Sequence, residues 1–231
     1  MKRSKLYRAR LAVLTQEKGY DLGEALQLLK DMPTVKFDET VELTIRLGID
    51  PRQSDQVVRG AMVLPNGTGK NVRVVVIASG EAAEAATQAG ADEVGVEELL
   101  ERIKGGWLGF DVLIATPESM KKVRALGRVL GPRGLMPNPK TGTVTENTAD
   151  AVKDAKAGRV EYRSDKTGCI HVLVGKLSFT KEALEENVNA LVQVVERARP
   201  ATTKGAYVQG MSVCSTMSPG IRLDVRNVTK A

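Results

Sequence analysis

Residues 36–47 read Lys-Phe-Asp-Glu-Thr-Val-Glu-Leu-Thr-Ile-Arg-Leu, and this segment decides the fold of the outer parts of the chain. From Thr40 to Leu47 polar and apolar residues alternate without a break. A period of two is that of a strand with one buried face and one face in water, which is common in antiparallel sheets. The segment therefore predicts an antiparallel sheet whose polar face stays open.

A second segment predicts a different kind of sheet. Residues 72–78 are almost continuously apolar, which is the pattern of a strand buried on both faces. Helices are predicted around it at 80–88, 96–103 and 148–157, and further strands near Val94 and at 112–115. Alternating strands and helices of this length indicate a small parallel α/β domain.

Alternation returns in the last third of the chain. We predict a hairpin of strands 159–163 and 169–174 around the turn at 165–168, and a final strand pair at 207–216 and 221–226. Helices are predicted at 6–16, at 181–199 and after a capping box formed by Asp21 and Glu24.

These patterns predict two domains of different class. Residues 1–67 and 160–231 form a discontinuous antiparallel α+β domain, and residues 68–159 form an inserted parallel α/β domain of Rossmann-like type. Glycines lie at both crossings between the domains. They favour a hinge slightly over ordinary loop chemistry, because glycine tolerates large backbone rotations.

The composition is that of a globular protein with a basic excess. Hydrophobic residues are 42% and charged residues 27% of the chain, which excludes disorder as an overall description. The net charge of +6 favours contact with phosphate backbones, although a solvated mixed-charge surface explains it equally well. Aromatic residues are only 3%, which argues against binding single strands by stacking many bases.

Several other kinds of site and location are not supported. Cys169 and Cys214 are far apart in sequence, so neither a zinc site nor a disulfide framework is predicted. No apolar stretch approaches the roughly 20 residues that span a bilayer, so no membrane partner is predicted. The basic N-terminal segment is interpreted as a first helix in preference to an organelle transit peptide, and a cytoplasmic location follows.

Two long stretches contain no acidic residue. The first, 119–145, surrounds a loop rich in proline and glycine, and a rigid loop beside cations suits phosphate. A structural loop with solvated lysines remains an even alternative. The candidate phosphate contacts of this stretch are Lys121, Lys122, Arg133 and Lys140.

The second acid-free stretch, 197–223, contains the turn from Ser215 to Gly220. Hydroxyl and backbone groups at a strand end could bind 2′-hydroxyls in the wide, shallow groove of RNA, though an ordinary polar turn is the commoner interpretation. Phe37 either joins the core or lies at the surface beside Lys36, where it would pack on a sugar or base.

A nucleotide-binding enzyme that uses the inserted domain is the main alternative. Residues 67–70, Gly-Thr-Gly-Lys, resemble the end of a P-loop, but they precede a strand, and Asn71 replaces the required Ser or Thr. No glycine fingerprint follows the strand at 72–78, and His171 is the only histidine. A protein-interaction scaffold is a third hypothesis. We predict no catalysis, no cofactor and no small-molecule substrate.

Four motifs together resemble one known family. They are residues 36–42, the loop at 131–140, the turn at 165–168 with His171 and residues 175–176, and residues 215–217. Their order and spacing are similar to the bacterial large-subunit ribosomal protein L-one family over essentially the whole chain. The resemblance implies a monomer within the ribosome that binds large-subunit ribosomal RNA, forms a mobile stalk and helps to release deacylated tRNA from the exit site. It also implies repression of the protein's own operon through its messenger RNA.

The resemblance further implies which residues contact RNA. On the domain built from both chain ends they are Lys36, Phe37, Thr40, Glu42, Lys166, His171, Lys176, Ser215, Thr216 and Met217. Arg133 and Lys140 would be auxiliary contacts on the inserted domain. The family usually has glycine at the position of Ser218, so we expect a different backbone there, with Gly220 replacing any contact that needs glycine.

Overall fold

The computed structural model describes residues 3–15, 18–33, 35–53 and 55–228, with the side chains of Asn227 and Val228 left out. The chain separates into two compact units: the first is Met1–Gly69 with Val160–Ala231, and the second is Lys70–Arg159. We propose that these units are the two predicted domains.

Helices and strands of the described residues follow one another in a mixed order. They are α1 (Lys5–Ala12), α2 (Leu22–Asp31), β1 (Thr40–Leu47), β2 (Arg59–Val63), β3 (Val74–Ile77), α3 (Glu81–Gln88), β4 (Glu93–Gly95), α4 (Glu97–Lys104), β5 (Val112–Ala115), α5 (Met120–Val123), α6 (Gly127–Leu130), α7 (Thr148–Lys156), β6 (Arg159–Arg163), β7 (Cys169–Lys176), α8 (Lys181–Arg197), β8 (Val208–Ser215), β9 (Ile221–Leu223) and α9 (Val225–Val228). Short 3-10 turns occur at Arg124–Leu126 and Pro139–Thr141.

The first unit contains the antiparallel sheet that the alternation in β1 predicts. Its strand order is β7-β1-β8-β9, and all neighbouring strands are antiparallel. Val41, Leu43, Ile45 and Leu47 point inward and are buried in one core with the apolar faces of α2 and α8. Thr40, Glu42, Thr44 and Arg46 point to the other face, where they remain partly or fully exposed. We call this side of the sheet the open face.

The second unit contains a parallel sheet of order β4-β3-β5. All four residues of β3 are buried, as its continuous apolar pattern predicts. One core, which includes Ile103 and Leu130, covers one side of this sheet, and a second core, which includes Ala86 and Val152, covers the other. The prediction of an antiparallel α+β part with an inserted α/β part is therefore confirmed.

The predicted hairpin of β6 and β7 is wrong. β6 pairs with β2 in a separate two-stranded sheet, and only an isolated bridge between Ser164 and Ile170 links the two predicted hairpin strands. β7 instead pairs along its length with β1. The turn that ends before β7 contributes to this pairing, because the carbonyl of Gly168 accepts a hydrogen bond from the backbone N–H of Leu47 at 2.9 Å. Long-range ladder formation thus outweighs the local turn signal.

The predicted capping box at the start of α2 is also wrong. Asp21 occupies the N-cap position, but its side chain makes no capping hydrogen bond. Glu24, the other half of the motif, forms an exposed ion pair with Lys18 at 3.2 Å. The first helix is shorter than predicted, and Gln16 at its predicted end lies outside the described residues.

Candidate nucleic-acid interface

A buried ion pair attaches α1 to the beginning of β1. Arg10 and Glu39 are each 1% exposed, and Nη2 of Arg10 lies 2.6 Å from Oε1 of Glu39. Nε of Arg10 also donates to the carbonyl of Pro33 at 2.8 Å. Charges this deeply buried are tolerated only when each has an oppositely charged partner and its remaining polar atoms are hydrogen-bonded. Arg10 is the only buried residue of α1, so this pair holds a helix that has little apolar surface of its own.

The same carboxylate also holds the turn that follows β8. Oε2 of Glu39 accepts a hydrogen bond from the hydroxyl of Ser215 at 2.6 Å and one from the backbone N–H of Met217 at 2.9 Å. Burial by itself raises the pKa of Glu39. The hydrogen bonds from Arg10, Ser215 and Met217 together lower the pKa by more than burial raises it, so it lies below its ordinary value. Glu39 therefore stays ionised and joins both ends of the chain.

Thr216 adds a second link between β8 and β1. Its Oγ1 accepts from the backbone N–H of Thr40 at 3.1 Å and donates to the carbonyl of Thr40 at 3.4 Å. Lys176, at the end of β7, donates to Oγ1 of Thr40 at 2.8 Å. Three neighbouring strands thus place two threonine hydroxyls and one ammonium group at the same end of the sheet.

Two apolar side chains project into solvent from this end of the sheet. Phe37 is 53% exposed and Met217 is 50% exposed, which is unusual for residues of their size. Phe37 lies two residues before Glu39, so their Cα atoms are at most about 8 Å apart. The N–H of Met217 binds the Glu39 carboxylate directly. Both side chains therefore extend from the region around one buried carboxylate.

These residues form what we call the sheet-end surface. It consists of Lys36, Phe37, Thr40, Lys176, Ser215, Thr216, Met217 and Ser218. Lys36 is exposed beside Phe37, while Ser215 is buried and acts from beneath. The geometry brings the motif near residue 40 together with the motif near residue 216.

A second group, the His171 cluster, lies further along the open face and consists of Glu42, Thr44, Asp165, Lys166 and His171. Nδ1 of His171 lies 3.1 Å from Oγ1 of Thr44 and 3.4 Å from Oε1 of Glu42. Lys166 is exposed in the turn that Asp165 organises by accepting from the backbone N–H groups of residues 167 and 169, both at 2.8 Å. Hydrogen bonds from the N–H of residue 169 and the hydroxyl of residue 167 keep the pKa of Asp165 below its ordinary value.

Ser218 occupies a position where the family usually has glycine. Among the described residues, only glycines have positive φ, and neither Ser218 nor Gly220 is in that conformation. The hydroxyl oxygen of Ser218 accepts a hydrogen bond from the backbone N–H of Ser215 at 2.8 Å. Serine therefore stabilises the turn through its own hydroxyl, and the backbone at residue 218 does not need the conformational freedom of glycine.

Comparison with known proteins supports what the geometry suggests. The model of the ribosomal protein L1p/L10e family matches residues 28–219. The chain belongs to this family. The large ribosomal subunit protein uL1 of Methylobacillus flagellatus is 57% identical over 97% of this chain and 98% of its own length. The proteins of the same name from Shewanella denitrificans and Clavibacter michiganensis subsp. michiganensis are 57% and 52% identical, covering 90% and 99% of this chain and 89% and 100% of their own lengths.

Membership of the L1p/L10e family decides the broad class of function. The chain is a ribosomal protein, and its curated relatives are proteins of the large ribosomal subunit. The protein is therefore structural and not an enzyme, as predicted. Of the helices in the described part of the chain, none combines the length and the apolar character needed to cross a bilayer.

The second unit carries the four auxiliary candidates of this L1p/L10e chain. Lys121 is exposed, and so are Arg133 and Lys140 in the loop after α6. Lys122 instead forms an exposed ion pair with Glu97 at 3.1 Å. To contact RNA, it would have to leave this carboxylate and bind a phosphate. The end of this loop is capped, because the side chain of Asn138 accepts a hydrogen bond from the backbone N–H of Lys140 at 2.9 Å.

The second unit also has a cavity at the carboxyl ends of its parallel strands, where a nucleotide would bind in an enzyme of this fold. Its volume is about 840 Å³, and four glutamates line it together with Arg102 and Lys122. Arg102 is paired with Glu93 at 2.6 Å and Lys122 with Glu97. Both cations are therefore engaged, and the excess of carboxylates opposes phosphate. The cavity does not favour the nucleotide-binding alternative.

Three residues of the candidate interface are not among the predicted contacts, namely Arg10, Glu39 and Leu173. Glu39 lies within the motif at 36–42 but carries no predicted role, and nothing in a basic helix distinguishes Arg10 from its solvated neighbours. Leu173 lies opposite Glu42 on the open face and is 49% exposed. The alternation of β7 would have placed it there, because its outward position follows that of His171 by two residues.

Proposed function

We propose that this protein is a component of the large ribosomal subunit and binds ribosomal RNA through the sheet-end surface and the His171 cluster. One observation carries the proposal. The buried Glu39 carboxylate binds Arg10, Ser215 and Met217 at once, and so it combines remote parts of the chain into one prepared surface. The names of the curated relatives support the ribosomal part of the proposal.

The chemistry of this surface suits folded RNA. Lys36 and Lys166 neutralise phosphates, which supplies affinity that depends on salt. Thr40 and Thr216 offer hydroxyl oxygens at a strand end, where a 2′-hydroxyl can donate or accept. Phe37, Met217 and Leu173 exclude water around these groups, so that a mismatched polar group would remain without a partner. Recognition in this mechanism reads the shape of the RNA and its sugar edges.

Three finer functions follow from the resemblance to the L-one family. The protein would form a mobile stalk of the subunit, assist the release of deacylated tRNA from the exit site, and repress its own operon by binding the messenger RNA. The messenger RNA would occupy the same sheet-end surface, because one set of groups recognises one RNA shape. The cations of the second unit, Lys121, Arg133 and Lys140, would supply auxiliary RNA contacts.

Replacement of Thr216 by valine tests the proposed surface, since valine keeps the shape and removes the hydroxyl. We expect the affinity for large-subunit ribosomal RNA to fall by about 1–3 kcal/mol, because RNA polar groups lose a partner in a desolvated contact. Part of this loss comes from the two hydrogen bonds to Thr40, so the melting temperature of each variant is measured alongside filter binding.

The control is Thr87→Val, which removes an exposed hydroxyl on α3 in the second unit. This variant should bind as the wild type does. Transfer RNA serves as competitor and should displace little of the ribosomal RNA fragment. Equal binding by wild type and Thr216→Val would remove Thr216 from the interface, and failure of the wild type to prefer ribosomal RNA over tRNA would refute the proposed function.

A further inference from the structure

A groove in the first unit has no role in the proposed function so far. It lies between α1 and the segment from Pro219 to Arg222, and its volume is about 250 Å³. Three cations line it, namely Arg3, Lys18 and Arg222, together with the rings of two tyrosines. Of the residues that the structure describes, no aspartate or glutamate lines the groove. The groove therefore combines positive charge with aromatic surface, which is the chemistry that single nucleotides require.

The position of α1 also calls for an explanation. A helix usually docks through an apolar face, but α1 buries only Arg10, and a buried ion pair contributes little net stability compared with apolar packing. The helix contains no acidic residue, and Lys5 and Arg8 are exposed on it. The arrangement places Arg3, which precedes α1, and Tyr7 in the wall of the groove opposite the segment from Pro219 to Arg222.

The aromatic walls of the groove are already paired with cations. The guanidinium carbon of Arg3 lies 4.9 Å from the centre of the Tyr7 ring, and Nζ of Lys18 lies 4.8 Å from that of Tyr20. A guanidinium group on an aromatic ring keeps its second planar face free, and a nucleobase can stack there. Tyr20 is fixed in place, because its hydroxyl accepts from the backbone N–H of Thr15 at 2.9 Å.

The charges of the groove can be redirected to a phosphate. Among the residues that the structure describes, no carboxylate forms an ion pair with Arg3 or Arg222. Lys18 pairs with Glu24, but both side chains are more than half exposed, so this pair contributes little and yields easily to another anion. Asp224, two residues after Arg222, accepts a hydrogen bond from the backbone N–H of residue 226.

The groove is next to the sheet-end surface. Gly220 lines the groove and follows Met217 by three residues, so their Cα atoms are no more than about 11 Å apart. An RNA strand that covers Met217 can therefore continue into the groove without leaving the protein.

We propose that this groove binds one nucleotide of the RNA that occupies the sheet-end surface. The base stacks on the pair formed by Arg3 and Tyr7, and the phosphate binds Arg222 and Lys18. This site rests on the proposed function, because it extends the same RNA footprint. It would make α1 a direct part of the interface in addition to its role in positioning Glu39.

The test uses the full chain and the fragment of large-subunit ribosomal RNA that the wild type protects from ribonuclease. Arg222→Gln should weaken binding about fivefold or more and reduce the slope of log affinity against log salt by about 0.7–0.9, the value for one phosphate. Tyr7→Leu keeps an apolar side chain but loses the ring. It should weaken binding by at least about fivefold with little change in the salt slope.

The matched control for charge is Arg197→Gln, at the exposed end of α8, which packs on the other side of the sheet. Chemical probing at nucleotide resolution should show that Arg222→Gln and Tyr7→Leu lose protection at the same one or two nucleotides and keep the rest of the footprint. Binding by both variants equal to that of Arg197→Gln, or an unchanged footprint, would overturn the groove site alone. Failure of the wild type to protect any ribosomal RNA would overturn the proposed function and this site together.

Discussion

The two units of this protein each contain a sheet, but they expose their sheets differently. The residues of β3 are all buried between two apolar layers, whereas β1 buries every second residue and leaves the others on the open face. In the second unit, groups that meet a ligand can come only from strand ends, loops and short helices. In the first unit, some of them, such as Thr40, Glu42 and His171, lie on regular strands whose ladders hold them in place, and the others lie directly beyond the ends of these strands. The candidate contact groups of the first unit are therefore held in place before any ligand binds.

One ion pair from each unit shows the same difference in exposure. Arg10 and Glu39 are both 1% exposed, while Lys122 and Glu97 are 55% and 82% exposed. Removing one partner of a buried pair leaves a charge without compensation, whereas an exposed charge is simply solvated. Equivalent substitutions in the two units should therefore have very different effects.

The largest effect is expected for Arg10→Met, with Lys122→Met as its counterpart in the second unit. Arg10→Met should lower the free energy of unfolding of the first unit by about 3–5 kcal/mol, because Glu39 stays buried without its cation. Lys122→Met should cost less than about 1 kcal/mol in the second unit.

Intrinsic fluorescence can follow both units in one urea titration, because all four tyrosines belong to the first unit and Trp107, the only tryptophan, belongs to the second. Arg10→Met should move the tyrosine transition, and Lys122→Met should leave both transitions nearly unchanged. Equal losses for the two variants would show that the buried pair is no more important than the exposed one.

A smaller effect, which depends on pH, is expected for Glu39→Gln. The folded protein holds the pKa of Glu39 below the ordinary value of 4.5, so this group contributes stability that is fully present above pH 4.5. The contribution is lost as the pH falls through the lowered pKa. The wild type should therefore exceed Glu39→Gln most in unfolding free energy near pH 7, and the difference should shrink below pH 4.5. A difference that stays constant from pH 7 to pH 3 would contradict an ionised Glu39.

Much of this fold could be predicted because periodicity reports burial directly. The alternation in β1 and the continuous apolar run of β3 each led to the correct kind of sheet. Strand β2 was missed, because Arg59–Val63 is half-buried along most of its length and has no period. The pairing of β7 was also missed. Turn chemistry at residues 165–168 is local, while the partner of a strand depends on residues more than a hundred positions away.

The residues of the candidate site also differ in whether the sequence could identify them. Motifs singled out Phe37, Thr216 and Met217, and the structure places them around one carboxylate. Arg10 could not be identified, because it reaches Glu39 across 29 positions and looks in sequence like any other cation of a basic helix. Side chains that touch a ligand leave a motif, but the partner that positions them can be any residue with the right charge.

The smallest effects should separate the RNA contacts of the two units. Phe37→Ala removes an exposed ring from the sheet-end surface and should weaken binding of the ribosomal RNA fragment by about 1–2 kcal/mol without changing the salt slope, because the contact carries no charge. Arg133→Gln should weaken binding only a few-fold but reduce the slope by about 0.7–0.9, since it removes one phosphate contact. Filter binding at several salt concentrations measures both quantities. If Arg133→Gln lost more affinity than Phe37→Ala at every salt concentration, charge on the loop of the second unit would govern recognition, and the prepared sheet would be the auxiliary element.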